Sequence, residues 1–366
     1  MRMENRYEQL FQEFLAQEIA HHSTPDKLLF LDMGVGDTAP KSDFTQIVPA
    51  PSASISPHWQ KYPPIGQIPE INEQELAWLH PNITEVCLCV ARCYQGEIYT
   101  RWYGRSPLVP VQMWSTSKII PMLALTLRAS ALAPTTNVEN WRIDGYSFAQ
   151  ICDRIVDYKD QERLTSNALA GMLKQFFCPE ELQDWLAQIT GNQQITFTGL
   201  HGEAPFLAQP TLWLNGDHAI PHAPVPHTLG AGQNLISAYD LTRILSLIAW
   251  HNYLPIANPH HLAPLLSALT LDCARYLPVA LQYVQVPYHA PCTLSKMGFG
   301  FSDQRQRYEI AYTGYSRLAD DLAICLSLRG YDASALVIDA RITTVIIEIL
   351  DWVYGRTISA DNGKKQ

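Results

Sequence analysis

The chain has 366 residues, 47% of them hydrophobic and 17% charged, which is enough apolar material for a large domain with an inserted part and excludes intrinsic disorder as a description of the whole. The formal net charge of −9, with no run of Lys or Arg beyond Lys364 and Lys365, excludes a phosphate-binding footprint, so no nucleic acid is expected as a partner. The richest apolar stretch, Ile119 to Leu127, stops at Arg128, too short for a membrane span. The first twenty residues carry four Glu and lack the basic-then-apolar layout of a secretory signal, which makes the cytoplasm the expected compartment.

In chain order, Tyr7, Leu10, Phe11, Phe14 and Ile19 lie close to a helical period and predict an amphipathic helix that docks on the domain or, by self-association, on a second copy. Gly34 to Ala39 has the spacing of a dinucleotide-binding turn, but Pro40 and a Pro-rich stretch follow where a helix N-terminus would have to hold the pyrophosphate, so no cofactor is expected. Seven Pro between 40 and 69 predict an extended arm, and residues 1–80 read as a helix plus that arm. From Thr84, Val86, Leu88 and Val90 alternate with Cys87 and Cys89, and Gln95-Gly96 separates this run from Ile98 to Tyr103, the pattern of a buried β-hairpin. Cys87, Cys89 and Cys93 fall on one face as core filler.

A mostly helical middle follows, from about 125 to 275, broken by a Pro- and His-rich loop between roughly 201 and 228, after which Ser237 reads as a helix cap. Strand texture returns after Leu294, in Tyr308 to Tyr315 and Leu322 to Leu328, with Asp320-Asp321 as a turn. Ile342 to Val353 then predict a closing helix that ends before Gly355. Pairing the first hairpin with the later strands gives an α/β (α+β) fold, a five-stranded antiparallel sheet with covering helices and an inserted helical subdomain. The main domain spans 81–355, the tail 356–366, and the site is expected in the cleft between sheet and helices. His218, His222, His227 and the pair His260-His261 lack ligand spacing, and none of the eight Cys forms a CxxC pair, so no metal is expected.

Ser115-Thr116-Ser117-Lys118 opens a helix and places a hydroxyl and an amine one turn apart, a nucleophile with its base. With 20 Ser and 9 Lys, chance alone supplies roughly 0.5 such pairs. Two further elements in order, Thr165-Ser166-Asn167 before a small-residue helix and Ser295-Lys296-Met297-Gly298 at a strand start, make coincidence a poor account. Trp114, beside the nucleophile, is expected to shape a pocket.

With these three elements the sequence resembles the serine β-lactamase and penicillin-binding-protein superfamily, class A above all, whose signatures are SxxK, S-D-N and K-T-G. The resemblance covers about 84–355. It implies that Ser115 is the acylated nucleophile, Lys118 its base, Thr165 a proton-relaying hydroxyl, and Asn167 a contact to Lys118 and the substrate amide. It further implies that Lys296 supplies positive charge, Gly298 lets substrate lie against the strand, and the N–H groups of Ser115 and Phe299 form the oxyanion hole. Met297 stands where the family has a hydroxyl that helps bind the substrate carboxylate, which puts acidic substrates in doubt. The family's loop Glu aligns with Thr211, ahead of Leu214-Asn215, and leaves Glu203 as the local carboxylate candidate. The expected activity is hydrolysis of an amide or ester in a small-molecule or peptide-like substrate, with weak or absent β-lactam turnover. The alternatives are a cytoplasmic glutaminase-like amidohydrolase and a non-catalytic ligand-binding module.

Overall fold

The computed structural model describes residues 2–21, 51–52, 54–157, 164–215, 218–274, 276–284, 293–319 and 321–362. The Gly34 to Ala39 run, Asp320, Cys292 and the Lys364-Lys365 pair lie outside the described residues.

One main sheet, antiparallel through its five long strands, organises the chain. Strands β3 (Ile83–Tyr94) and β4 (Glu97–Arg105) form the expected hairpin, closed by Gln95 and Gly96, both at positive φ, the two-residue turn whose twist suits a hairpin. Strands β5 (Thr293–Ser302), β6 (Arg307–Ala319) and β7 (Leu322–Asp332) complete it. The order is β4-β3-β7-β6-β5, so the late strands insert beside the first hairpin and β5 is left at the edge. The Pro-rich arm is partly structured: β1 (Gln60–Lys61) and β2 (Ile71–Asn72) both add to β4, supplied by main chain that flanks its prolines.

Each strand alternates between two cores. Cys87, Cys89, Cys93, Trp102, Leu294 and Tyr315 face the helical part, whereas Val86, Leu88, Val90, Met297, Tyr312 and Leu326 face the opposite layer. The helical part comprises α2 (Ile119–Leu132), α3 (Phe148–Val156), α4 (Ser166–Lys174), α5 (Pro179–Thr190), α6 (Ala238–Ala249) and α7 (Pro259–Leu269). Ser237 caps α6 in a reciprocal capping box with Asp240, which satisfies the first-turn N–H groups. The opposite layer holds α1 (Arg2–His21), α8 (Tyr276–Tyr283) and α9 (Ala335–Asn362).

Two expectations need correction here. α9 runs through Gly355 to Asn362, because the buried face Ile342, Val345, Ile346, Ile349, Leu350 and Val353 already anchors it and a glycine costs a helix only about 1 kcal/mol. In α1, Leu10, Phe11 and Phe14 are buried but Ile19 is 61% exposed. The apolar face of α1 is used within the chain: Tyr7 donates to Asp351 at 3.0 Å, and Phe14 meets Tyr283 edge-on.

One polar cluster ties three central strands. Arg329 on β7 pairs with Glu85 on β3 at 2.8 Å and with Glu309 on β6 at 2.7 Å, all three nearly out of solvent. Removing one partner of a buried ion pair leaves charge without compensation. Arg329→Met is therefore expected to lower unfolding stability by about 3–5 kcal/mol in a denaturant titration, whereas a loss under about 1 kcal/mol would show that solvent already screens the cluster.

Candidate active site

Between β5 and the helical part lies a cleft of about 650 Å³ whose lining includes Trp114, Ser115, Asn167, His201 and Phe299. Ser115 sits in a 3₁₀ turn, Trp114–Lys118, that runs directly into α2. Side chains three residues apart eclipse in that geometry, so Lys118 stands over Ser115 more closely than in an α-turn. Lys118 is 2% exposed and donates to Ser166 Oγ at 2.9 Å, and Ser166 in turn donates to the Ile155 carbonyl at 2.7 Å.

The turn is held in an unusual conformation. Trp114 has φ +48°, a left-handed setting that costs a bulky L-residue of order 1–3 kcal/mol and persists only where its surroundings enforce it. Three contacts enforce it: the Thr116 N–H donates to the Met113 carbonyl at 3.2 Å, Ser117 Oγ to the Trp114 carbonyl at 2.8 Å, and the Trp114 indole N–H to Glu309 at 3.1 Å. The strand opposite has no side chains where it meets the turn. A Cβ on Gly298 would lie 2.5 Å from the Ser115 nitrogen, and one on Gly300 would enter the Trp114 ring.

Glu309 is the electrostatic anchor behind the cleft. Arg305 grips both its carboxylate oxygens, at 2.6 and 2.9 Å, and Arg307 and Arg329 add to this. Burial alone would raise its pKa, but these arginines outweigh burial and hold it at about 2. A depressed carboxyl stabilises the fold above its unfolded pKa of about 4 and ceases to do so as pH falls through the folded value.

The second element is placed at the start of α4. Thr165 is the N-cap and accepts from the Ala168 N–H at 3.1 Å. Its hydroxyl donates to Glu203 at 2.5 Å, and Asn167 Nδ2 donates to the other Glu203 oxygen at 2.8 Å. The hydroxyl that meets Lys118 is therefore that of Ser166, and Thr165, committed to the cap and to Glu203, is turned from the relay position assigned to it. Glu203 thus stands against the second motif, while Thr211 and Leu214-Asn215 lie in a separate hairpin paired with His218–Pro221, Leu214 being core.

On the third element, Lys296 is fully buried and donates to the Met297 carbonyl at 3.2 Å. The strand's alternation sends Met297 to the far face, 1% exposed against the α9 layer, so its side chain is not a substrate contact. Asp272 lies against the Met297 N–H and near Lys296, and burial, opposed by Lys296 and by hydrogen bonds from Ser295 and the main chain, raises its carboxyl to about 6. N–H groups two residues apart on a strand point the same way. The Phe299 N–H is therefore directed off the free edge, beside Ser115, where an oxyanion would be received.

The sequence reading missed Ser166 and His201. His201 lines the cleft, and burial, followed by the charges of Lys174, Lys118 and His227, lowers its pKa well below the ordinary value, which keeps the ring neutral. Its position next to Gly202-Glu203 was the available signal. Among the described residues no group of three His, Cys, Asp or Glu could hold a metal, and no helix is long and apolar enough to cross a membrane.

No family model and no curated protein matches the chain. Solved structures similar to it include the TLA-3 extended-spectrum β-lactamase (13% identity, 76% of this chain and 96% of that one, TM-score 0.49). A β-lactamase from Desulfarculus baarsii DSM 2075 (16%, 72% and 91%, 0.48) and a class A β-lactamase representative from Bacteroides cellulosilyticus DSM 14838 (11%, 76% and 96%, 0.48) are also similar. By its own strand order and element order the chain has an α/β fold, a central antiparallel sheet with a helical part inserted between its first hairpin and its late strands.

Two outcomes are expected from this geometry. Gly300→Ala should slow any reaction at Ser115 by about 100-fold, since displacing the turn by an ångström costs that much, while the circular dichroism spectrum stays that of the parent; unchanged reactivity would mean the Trp114 contact is dispensable. Between pH 5 and 2 the parent should lose its thermal-stability advantage over Glu309→Gln, and melting curves that fall in parallel would contradict the anchor role.

Proposed function

We propose that the chain is a serine hydrolase that cleaves an amide or ester through an acyl-enzyme on Ser115. The observation that supports this reading most is Ser115 on the cleft wall in a strained turn, with Lys118 buried one 3₁₀ turn on and an edge strand kept bare by Gly298 packed against it.

In the proposed sequence Ser115 Oγ attacks the carbonyl carbon and gives its proton to Lys118. The N–H groups of Ser115 and Phe299 hold the developing oxyanion. Collapse breaks the bond to the leaving group, which departs with the proton from Lys118, and leaves acyl-Ser115. Ser166 fixes the amine: its hydroxyl accepts from Lys118 and spends its own proton on Ile155. Water then attacks the ester and gives its proton to Glu203, which lies beside Asn167; collapse breaks the bond between the acyl carbon and Ser115 Oγ, and that proton returns to Oγ to restore the serine. The protein works in the cytoplasm in this reading, on a small or peptide-like substrate.

Intact-protein mass spectrometry after exposure to a fluorophosphonate and to a fluorescent penicillin tests the nucleophile. One adduct on the parent and none on Ser115→Ala is expected, with Lys118→Met slowing labelling by about 10²–10⁴-fold. Equal labelling of parent and Ser115→Ala would sink the reading. Glu203→Gln should lengthen the acyl-enzyme lifetime by about 100-fold without slowing its formation, and an unaltered lifetime would remove Glu203 from the second step.

A further inference from the structure

Resting on the hydrolase reading, the charge pattern of the cleft carries a conclusion about its substrate. The arginine among the described lining residues is Arg305. A carboxylate-bearing substrate is recognised best by the planar fork of an arginine offered bidentately. Here the Nε–Nη2 edge of that fork is spent: both nitrogens go to Glu309, whose side chain is fully out of solvent, and Nη2 also reaches Gln112 at 3.5 Å. Freeing Arg305 for a substrate would withdraw one of the partners that keep a buried carboxylate tolerable.

Behind the wall the other basic side chains are likewise committed. Lys118 donates to Ser166, Lys174 to the Gly199 carbonyl and Asn234, and Lys296 to the Met297 carbonyl with Asp272 close by. Arg307 bonds Glu309 and lies over the Tyr331 ring, and Arg329 bridges Glu85 and Glu309. His201 is neutral. Behind the lining residue Asn167, Glu203 holds a half-buried carboxyl between Thr165 and Asn167, a group that repels a second anion.

What the cleft does offer is neutral. Gln112, Gln233, Asn234 and Gln304 line it together with Leu200 and Leu235. Side-chain amides carry both donors and acceptors, and together with apolar surface they suit an uncharged polar ligand.

We infer that the cleft acts on an uncharged amide or ester, one with no carboxylate beside the scissile bond, and discriminates against its anionic counterpart. The test uses a pair that differs at one carboxyl group, charged in one and masked in the other: a chromogenic cephalosporin and its methyl ester, each rate divided by the rate with hydroxide to remove intrinsic reactivity. Ser115 acylation of the full-length protein is followed by mass spectrometry, with Ser115→Ala as blank and a fluorophosphonate as a check on the nucleophile.

The ester is expected to acylate at least tenfold faster than the acid, with a preference that Arg305→Gln leaves within twofold. An acid that reacts as fast as the ester or faster, or a preference that moves on Arg305→Gln, overturns the inference and leaves the hydrolase reading standing. So does a Ser115 that takes the fluorophosphonate and neither cephalosporin. If the fluorophosphonate also fails on folded protein, the hydrolase reading falls and the substrate class falls with it.

Discussion

Ser115 is presented to the cleft because β5 can come within van der Waals distance of the turn that carries it. That approach needs Gly298 under the Ser115 nitrogen and Gly300 under the Trp114 ring, and it needs Trp114 to hold a backbone setting that bulky residues avoid. The strain is met by packing and by the indole bond to Glu309. Glu309 stays ionised because three arginines surround it. The geometry of the Ser115 turn is thus underwritten by an ion cluster that lies behind it.

The same cluster explains why structural and recognition roles conflict at this site. An arginine that neutralises a buried carboxylate cannot at the same time offer its fork to a ligand. Arg305 reaches the cleft mouth, yet its chemistry is turned inward. The cleft is left with amides and apolar groups on its surface and with committed basic side chains beneath it.

Around the second motif, roles shift by one residue from those read off the pattern. A helix N-cap must turn its oxygen back on its own third residue, and Thr165 does so. The next residue, Ser166, points inward to Lys118, and Asn167 reaches Glu203 at the cleft wall. The hydroxyl beside the amine is therefore an orienting group whose proton goes to Ile155. His201 and Glu203 arrive from a loop about 35 residues on, at a spacing that depends on how the loop folds back.

Periodicity alone determined much of this protein. The β3–β4 hairpin, the two late strands, the capped helix at Ser237 and the apolar stripe of α9 are local patterns, and each was visible because side-chain alternation or helical spacing is a property of neighbouring residues. The Ser115–Lys118 pair was legible for the same reason, being one turn apart. What required the tertiary structure were the long-range pairings. Met297 had to be assigned a face by its strand's register against Tyr312, α9 continued past Gly355 because packing outweighed propensity, and Thr211 was removed from the cleft by a hairpin that no local signal had marked. The Glu309 cluster joins residues from three strands distant in sequence, Glu85, Glu309 and Arg329. Charge compensation across such distances leaves no spacing in the chain to be read, because only the folded sheet brings those residues together.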